Sequence, residues 1–206
     1  MRGMVSSKHH LSNQPLLRSQ ILDAARAIVM RQGFDALSMR KLAEVIGYSP
    51  ASLYLHFAGR DAIAHALSVE GHAMLLAELH ACDSVADAGA RVKAMAHAYV
   101  AFGLTHPEMY RLIFMQNAAY ADATFGDPDA SGETALSLFT HALALSSSPA
   151  KAETVWAALH GLVSLSVCAT KYLSTPVDAL IDGLLDLCYP GVKKKPARRP
   201  SASRTA

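Results

Sequence analysis

Between Ile21 and Leu67 three glycines, Gly33, Gly47 and Gly59, cut the chain into apolar-periodic segments, and this punctuation constrains the fold more than any other feature. Apolar residues recur three and four apart: Ile21, Leu22, Ala25, Ile28 and Val29 before Gly33, Leu42, Ala43 and Ile46 before Gly47, and Leu53 and Phe57 before Gly59. That period gathers each set on one face of a helix. Glycine has no Cβ and so permits the left-handed turn that closes a helix. Ser38 and Ser49 stand where a hydroxyl can accept from the free amides of a helix start, and Pro50 falls at a first helical position, where its missing N–H loses no partner. Helices of about two turns do not persist alone. The spacing therefore predicts a first helix beginning near Pro15 with two short helices folded against it, a compact unit over residues 15–59.

The rest of the chain continues the helical period without a convincing alternating strand. Helices are expected over 60–81, 87–105, from Pro107 onward, over 133–145 and 151–172, and from Pro176 to a close at Pro190 and Gly191. Gly126, Asp127, Pro128, Asp129 and Gly132 make residues 117–132 the best internal loop. The fold class is all-α: an N-terminal three-helix domain with a helix-turn-helix over 15–59, and a C-terminal helical domain over 60–190 that includes the connecting helix. A flexible basic arm is expected over 1–14 and a disordered basic tail over 191–206. The last two helices are apolar over more than one stripe. This suits pairing with a second copy through residues 151–188, or deep burial within a monomer.

Charge divides the chain further. The net charge of +2 conceals eight basic and three acidic side chains in residues 1–60, five and fourteen in 61–190, and six and none in 191–206. Basic ends suit a polyanion such as nucleic acid; the acidic middle would repel one and should face elsewhere. Three scattered cysteines, Cys82, Cys168 and Cys188, argue against a disulfide framework. With no apolar segment of signal-peptide or membrane-span length, a cytoplasmic location without membrane association is expected. His65, His72 and His80 lack compact metal-ligand spacing, and neither an HExxH motif nor a nucleophile–base set is visible, so no metal, cofactor or catalytic residue is assigned.

On the third helix Ala51, Tyr54 and Leu55 share a face opposite Leu53 and Phe57. Ser49 caps this helix and Ser52 borders its exposed side. Ser52 can hydrogen-bond a base or phosphate, Tyr54 can meet backbone or base, and Leu55 can pack on a thymine methyl group. Arg40, Lys41, His56 and Arg60 can contact phosphates, or can form an ordinary solvated basic surface. None of the outward residues offers a bidentate arginine-to-guanine contact, so shape and short side chains would carry selectivity.

The stretch ILDAARAIVMRQGFDALSMRKLAEVIGYSPASLYLHFAGRDAIAHAL, residues 21–67, resembles the DNA-binding domain of the TetR family of bacterial transcription regulators. Ala24 and Ala25 fit its first helix, Gly33 and Phe34 the exit, and Leu42, Ala43, Gly47, Leu53, Tyr54 and Phe57 the helix-turn-helix frame. Pro50 and Ala51 depart from the frequent lysine–glycine pair, which removes a charged contact at the helix start. VWAALHGLVSL, residues 155–165, looks like the tryptophan–histidine–glycine element of one group of C-terminal domains in that family. The resemblance implies a homodimer whose last two helices pair and whose two heads contact a partly palindromic double-stranded operator. It further implies repression released by a small, largely apolar effector, although family members also activate transcription or lack a known ligand.

His72, Met74, Tyr99, Phe102, Met109, Phe114, Met115, Trp156, His160 and Cys168 could line an effector cavity, with Tyr99, His72 and His160 orienting a ligand. The same residues also suit plain core packing, and His160 also suits a satisfied structural histidine.

Overall fold

A computed structural model describes residues 8–116, 132–144, 149–169, 171 and 173–188. The expected basic tail, the residues before Lys8 and residues 117–131 of the expected loop lie outside them. Among the described residues the chain is all helical: α1 (Lys8–Gln32), α2 (Met39–Ile46), α3 (Pro50–Tyr54), α4 (Arg60–His80), α5 (Ala88–Thr105), α6 (Pro107–Phe114), α7 (Ala135–Ala144), α8 (Pro149–Cys168) and α9 (Val177–Cys188). Short 3-10 turns, Phe34–Ala36 and Ala81–Ser84, follow α1 and α4.

The spacing predicts a start for α1 near Pro15, but the helix begins at Lys8 and carries Pro15 inside it. Proline in a helix interior forfeits one amide donor and crowds the preceding turn, a local cost that bends or weakens a helix without always ending it. From Ile21 onward the expected stripe is buried: Ile21, Leu22, Ala25, Ile28 and Val29 pack against Leu42, Ala43, Leu53 and Phe57 in one continuous core. The turn between α2 and α3 follows from Gly47, which sits at φ 72°, ψ 31° while the Tyr48 N–H donates to the Ala43 carbonyl at 3.0 Å. That left-handed C-terminal cap strains any residue with a Cβ.

α4 joins the two halves. Arg26 on α1 bridges Asp23 at 2.8 Å and Glu70 of α4 at 2.5 Å, and Ile63, Ala64 and Leu67 extend the core into the body. There α5 packs on α4, α6, α7 and α8, and α9 lies on α5 and α8. Gly103 lets α5 and α8 approach closely, since a Cβ built there would lie 2.3 Å from Val163. The start of α7 is fixed reciprocally: the Ser137 N–H donates to Thr134 Oγ1 at 3.0 Å and the Thr134 N–H to Ser137 Oγ at 2.8 Å. An ionic clasp holds α9 to α5, with Lys93 2.6 Å from Asp182, and His97 3.2 Å from Asp178 and 3.3 Å from Asp182. Asp182 is held below the usual carboxylate range, chiefly by the Lys93 hydrogen bond.

The outer surfaces of α8 and α9 explain why these helices are apolar beyond one stripe. Ala157, Gly161, Leu165 and Cys168 on α8 and Leu180, Gly183, Leu184 and Leu187 on α9 are partly or fully exposed, and a Cβ at Gly161 or Gly183 would meet nothing within 4 Å. No helix among the described residues is long and apolar enough to cross a membrane.

Candidate nucleic-acid interface and effector core

Five residues make up α3, and both of its ends are set locally. Ser49 caps it, with the Ser52 N–H donating to Ser49 Oγ at 3.2 Å and the two hydroxyls 2.9 Å apart. Leu53 is fully buried and Phe57 nearly so, which anchors the helix and turns its other side outward. On that side Tyr54 is 55% exposed and Leu55 is 83% exposed, with Ala51 also exposed; Tyr48, in the turn before α3, is exposed as well. Ser52 and His56 are half-buried. Leu55 was expected within the third helix; it is instead the residue that closes it, still in helical geometry, because α3 ends at Tyr54. Large apolar side chains set among polar neighbours are a mark of a contact surface.

The four expected phosphate contacts differ in how free they are. Arg40 is exposed in the first turn of α2. The Lys41 ammonium donates to Gln32 Oε1 at 2.5 Å. Arg60 lies over the Phe34 ring, 4.6 Å from its centre, and within 3.5 Å of Asp61. Lys41 and Arg60 would therefore exchange an internal partner for a phosphate. Two roles in this head are not legible in the residue spacing: Arg18 covers the Phe57 ring at 4.8 Å, and Arg26 ties the head to α4. Neither pairing is periodic in sequence, so only opposite charge or an aromatic partner at unknown distance could have signalled them.

In the body, the residues expected to line a cavity divide into two groups. Tyr99, Phe102 and Met109 are buried, while Phe114, Trp156 and His160 are half-buried and packed ring against ring. Tyr99 lies 6.2 Å from Phe114, Phe114 6.3 Å from Trp156, and Trp156 5.7 Å from His160. A polar thread runs through this cluster: Tyr99 Oη lies 2.9 Å from Tyr110 Oη, which lies 2.6 Å from His160 Nδ1. Burial holds both tyrosines well above the ordinary phenol range and lowers the pKa of His160. His72, buried on α4, is lowered for the same reason. Tyr110 and Phe139 complete the cluster and were missed, since an apolar stripe does not announce which rings will meet.

The second group is corrected. Met74 is 44% exposed and Met115 40% exposed, and Cys168 is exposed at the end of α8. Met74 falls off the buried stripe of α4, Met115 closes α6 at the surface, and Cys168 belongs to the outer stripe of α8, so none of the three lines the aromatic core.

Comparison with known proteins agrees with this geometry. Residues 21–67 match the family described as bacterial regulatory proteins, tetR family, and residues 92–188 match the tetracyclin repressor-like C-terminal domain. The chain is 31% identical over 103 residues to the uncharacterized HTH-type transcriptional regulator YobS of Bacillus subtilis, covering 49% of this chain and 53% of that protein. It is 38% identical over 64 residues to the HTH-type transcriptional repressor Rv1474c of Mycobacterium tuberculosis, covering 31% and 33%. The chain thus spans about half or less of the length of these curated relatives. A solved structure of a protein with unknown function from Rhodococcus sp. RHA1 is 27% identical, covers 86% of this chain and 96% of that one, and superposes with a TM-score of 0.67.

Proposed function

This chain belongs to the TetR family of bacterial regulatory proteins, and from that premise we propose that it is a homodimeric transcriptional repressor, released from a partly palindromic operator by a small, largely apolar effector. Residues 15–59 form the reading head and residues 60–190 the regulatory and pairing body. The single observation carrying the DNA reading is the exposure of Tyr54 on α3 and of Leu55 at its close, while Leu53 on the other side of that helix is fully buried. An α-helix fits the major groove, where Ala51, Ser52, Tyr54 and Leu55 can meet base edges and thymine methyl groups. Arg40, Lys41, His56, Arg60 and the α3 cap at Ser49 supply phosphate contacts that fix register without reading sequence.

Pairing through residues 151–188 is supported by the outward stripes of α8 and α9, where small residues let a second backbone approach and Leu165 and Leu187 offer apolar area. A two-fold dimer of this kind holds its two readers about 34–36 Å apart, one turn of DNA, or a multiple of that. The effector acts on the body, whose α4 is continuous from the edge of the reading head to the far end of the domain.

Selection of genomic fragments by the purified full chain tests the proposal. Recovery of an approximately symmetric duplex, bound by a dimer and lost on addition of an effector, is the expected result. Recovery of no preferred duplex by a folded protein overturns it.

A further inference from the structure

No side chain of α3 can tell one base from another by hydrogen bonding. Its five residues, Pro50, Ala51, Ser52, Leu53 and Tyr54, include no arginine, lysine, asparagine, glutamine or carboxylate. Those are the side chains that distinguish guanine, adenine and cytosine in the major groove, because each presents donors or acceptors in a fixed pattern. The Ser52 hydroxyl already lies 2.9 Å from that of Ser49. A serine or phenol hydroxyl also both donates and accepts, so Ser52 and Tyr54 meet a base donor as readily as a base acceptor.

Apolar surface is what the outward side does offer. Leu55, which closes the helix, stands almost wholly in water, and Ala51, one turn before it, is exposed as well. Fully buried Leu53 fixes the rotation of the helix, so this surface faces away from the core of the head. In the major groove thymine presents an apolar group, its C5 methyl, for such a side chain to cover. The surroundings are cationic: Arg40 in the first turn of α2 and Arg60 at the start of α4 are both exposed. In a helix-turn-helix the helix before the reader crosses the phosphate backbone, so these groups hold a polyanion without choosing its sequence. An apolar reader flanked by cations fits duplex DNA rather than an apolar protein surface.

We infer that this chain reads its operator through thymine methyl groups seated on Leu55 and Ala51, so that each half-site carries thymines at the positions facing α3. The inference rests on the operator reading proposed above and deepens it by naming the base that is recognised. Leu55 then determines specificity, while Arg40 and Arg60 position the duplex. Uracil, which differs from thymine only in lacking the methyl group, is a poorer base at those positions.

Replacing thymine by uracil, one position at a time, in the operator selected by the purified full chain tests this directly. Each contacted methyl should be worth about fourfold in affinity, the value of one buried carbon, and positions away from α3 should be indifferent. Leu55→Ala should diminish that preference at one or more positions with the melting curve in place, since the side chain is exposed. Arg40→Gln should weaken the thymine and uracil duplexes by the same factor and lower the salt dependence of both. Equal binding of thymine and uracil at every position, or a preference undiminished in Leu55→Ala, overturns the inference. A chain that selects an operator yet is indifferent to uracil loses this inference alone and keeps the regulator; a folded chain that selects no duplex removes both.

Discussion

Tyr48 and Tyr54 in the head are exposed to solvent, whereas Tyr99 and Tyr110 in the body are almost completely enclosed and bond to each other. The same residue type is used in opposite ways. In the head, a small apolar core holds a short helix rigid so that aromatic and aliphatic groups can be offered to a partner. In the body, phenols are kept from water, and each must find its partner inside. The difference teaches that substitutions of the outward side chains of the head should change binding without changing stability, while substitutions of its anchors and of the buried phenols of the body should change stability.

The largest effect expected is from Leu53→Ala. Leu53 is fully buried, and deleting a buried leucine side chain costs about 3 kcal/mol. Urea melts should show that loss together with a fall in binding to every DNA sequence. Tyr54→Ala should leave the melt almost unmoved yet reduce operator binding roughly tenfold or more. If Tyr54→Ala destabilises as Leu53→Ala does, the proposed split between anchor and reader is wrong.

Next comes Tyr110→Phe, which removes the hydroxyl shared by Tyr99 Oη and His160 Nδ1; Tyr99 keeps its hydrogen bond with Trp156, so the loss falls on His160. Stranding buried polar groups costs about 1–3 kcal/mol, measurable by thermal or urea unfolding. Tyr54→Phe is the matched control, because its hydroxyl is on an exposed side chain, and it should be neutral for stability. Ser49→Ala, which removes the α3 cap, should cost about 1 kcal/mol, with DNA binding weakened as the reader frays.

The smallest effects are those of pH, and they sharpen the contrast between buried and exposed sites. Burial lowers His72 and His160 below their ordinary value of 6.5. The unfolded chain then takes up protons more readily than the folded one. Their contribution is complete above about pH 6.5 and is lost as pH falls through the folded values. His80 is raised, so its contribution is complete below about pH 6.5 and is lost as pH rises through the folded value. It is also solvent-screened, and therefore smaller. Urea melts from pH 5 to 8 should show the acid-side loss diminished in His160→Gln and only a slight change on the alkaline side in His80→Gln. An unchanged acid limb in His160→Gln would contradict its burial as a neutral ring.

Much of the head was legible because its determinants are local. Ser38, Gly47, Ser49 and Pro50 act on bonds within a few residues of themselves, and the Leu53–Phe57 spacing fixes an inward side whatever surrounds it. The residue at which a helix begins was less legible: Pro15 is a common first-turn residue, but α1 passes through it from Lys8. In the body, apolar composition marked Tyr99, Phe114, Trp156 and His160 as a set. It equally marked Met74, Met115 and Cys168, which face outward, and it passed over Tyr110, which links the set together.

Amino-acid order by itself determined the helical class, the glycine breaks, the caps and the two short helices of the head, because these rest on backbone conformations and hydrogen bonds spanning no more than a turn. Tertiary packing decided which rings touch and which charged groups pair. Arg26 with Glu70, His80 with Glu133, and Tyr110 with His160 are each separated by more than forty residues. Such pairings depend on how helices cross and how deeply each side chain is screened from water, and neither quantity is contained in the spacing of residues along one helix.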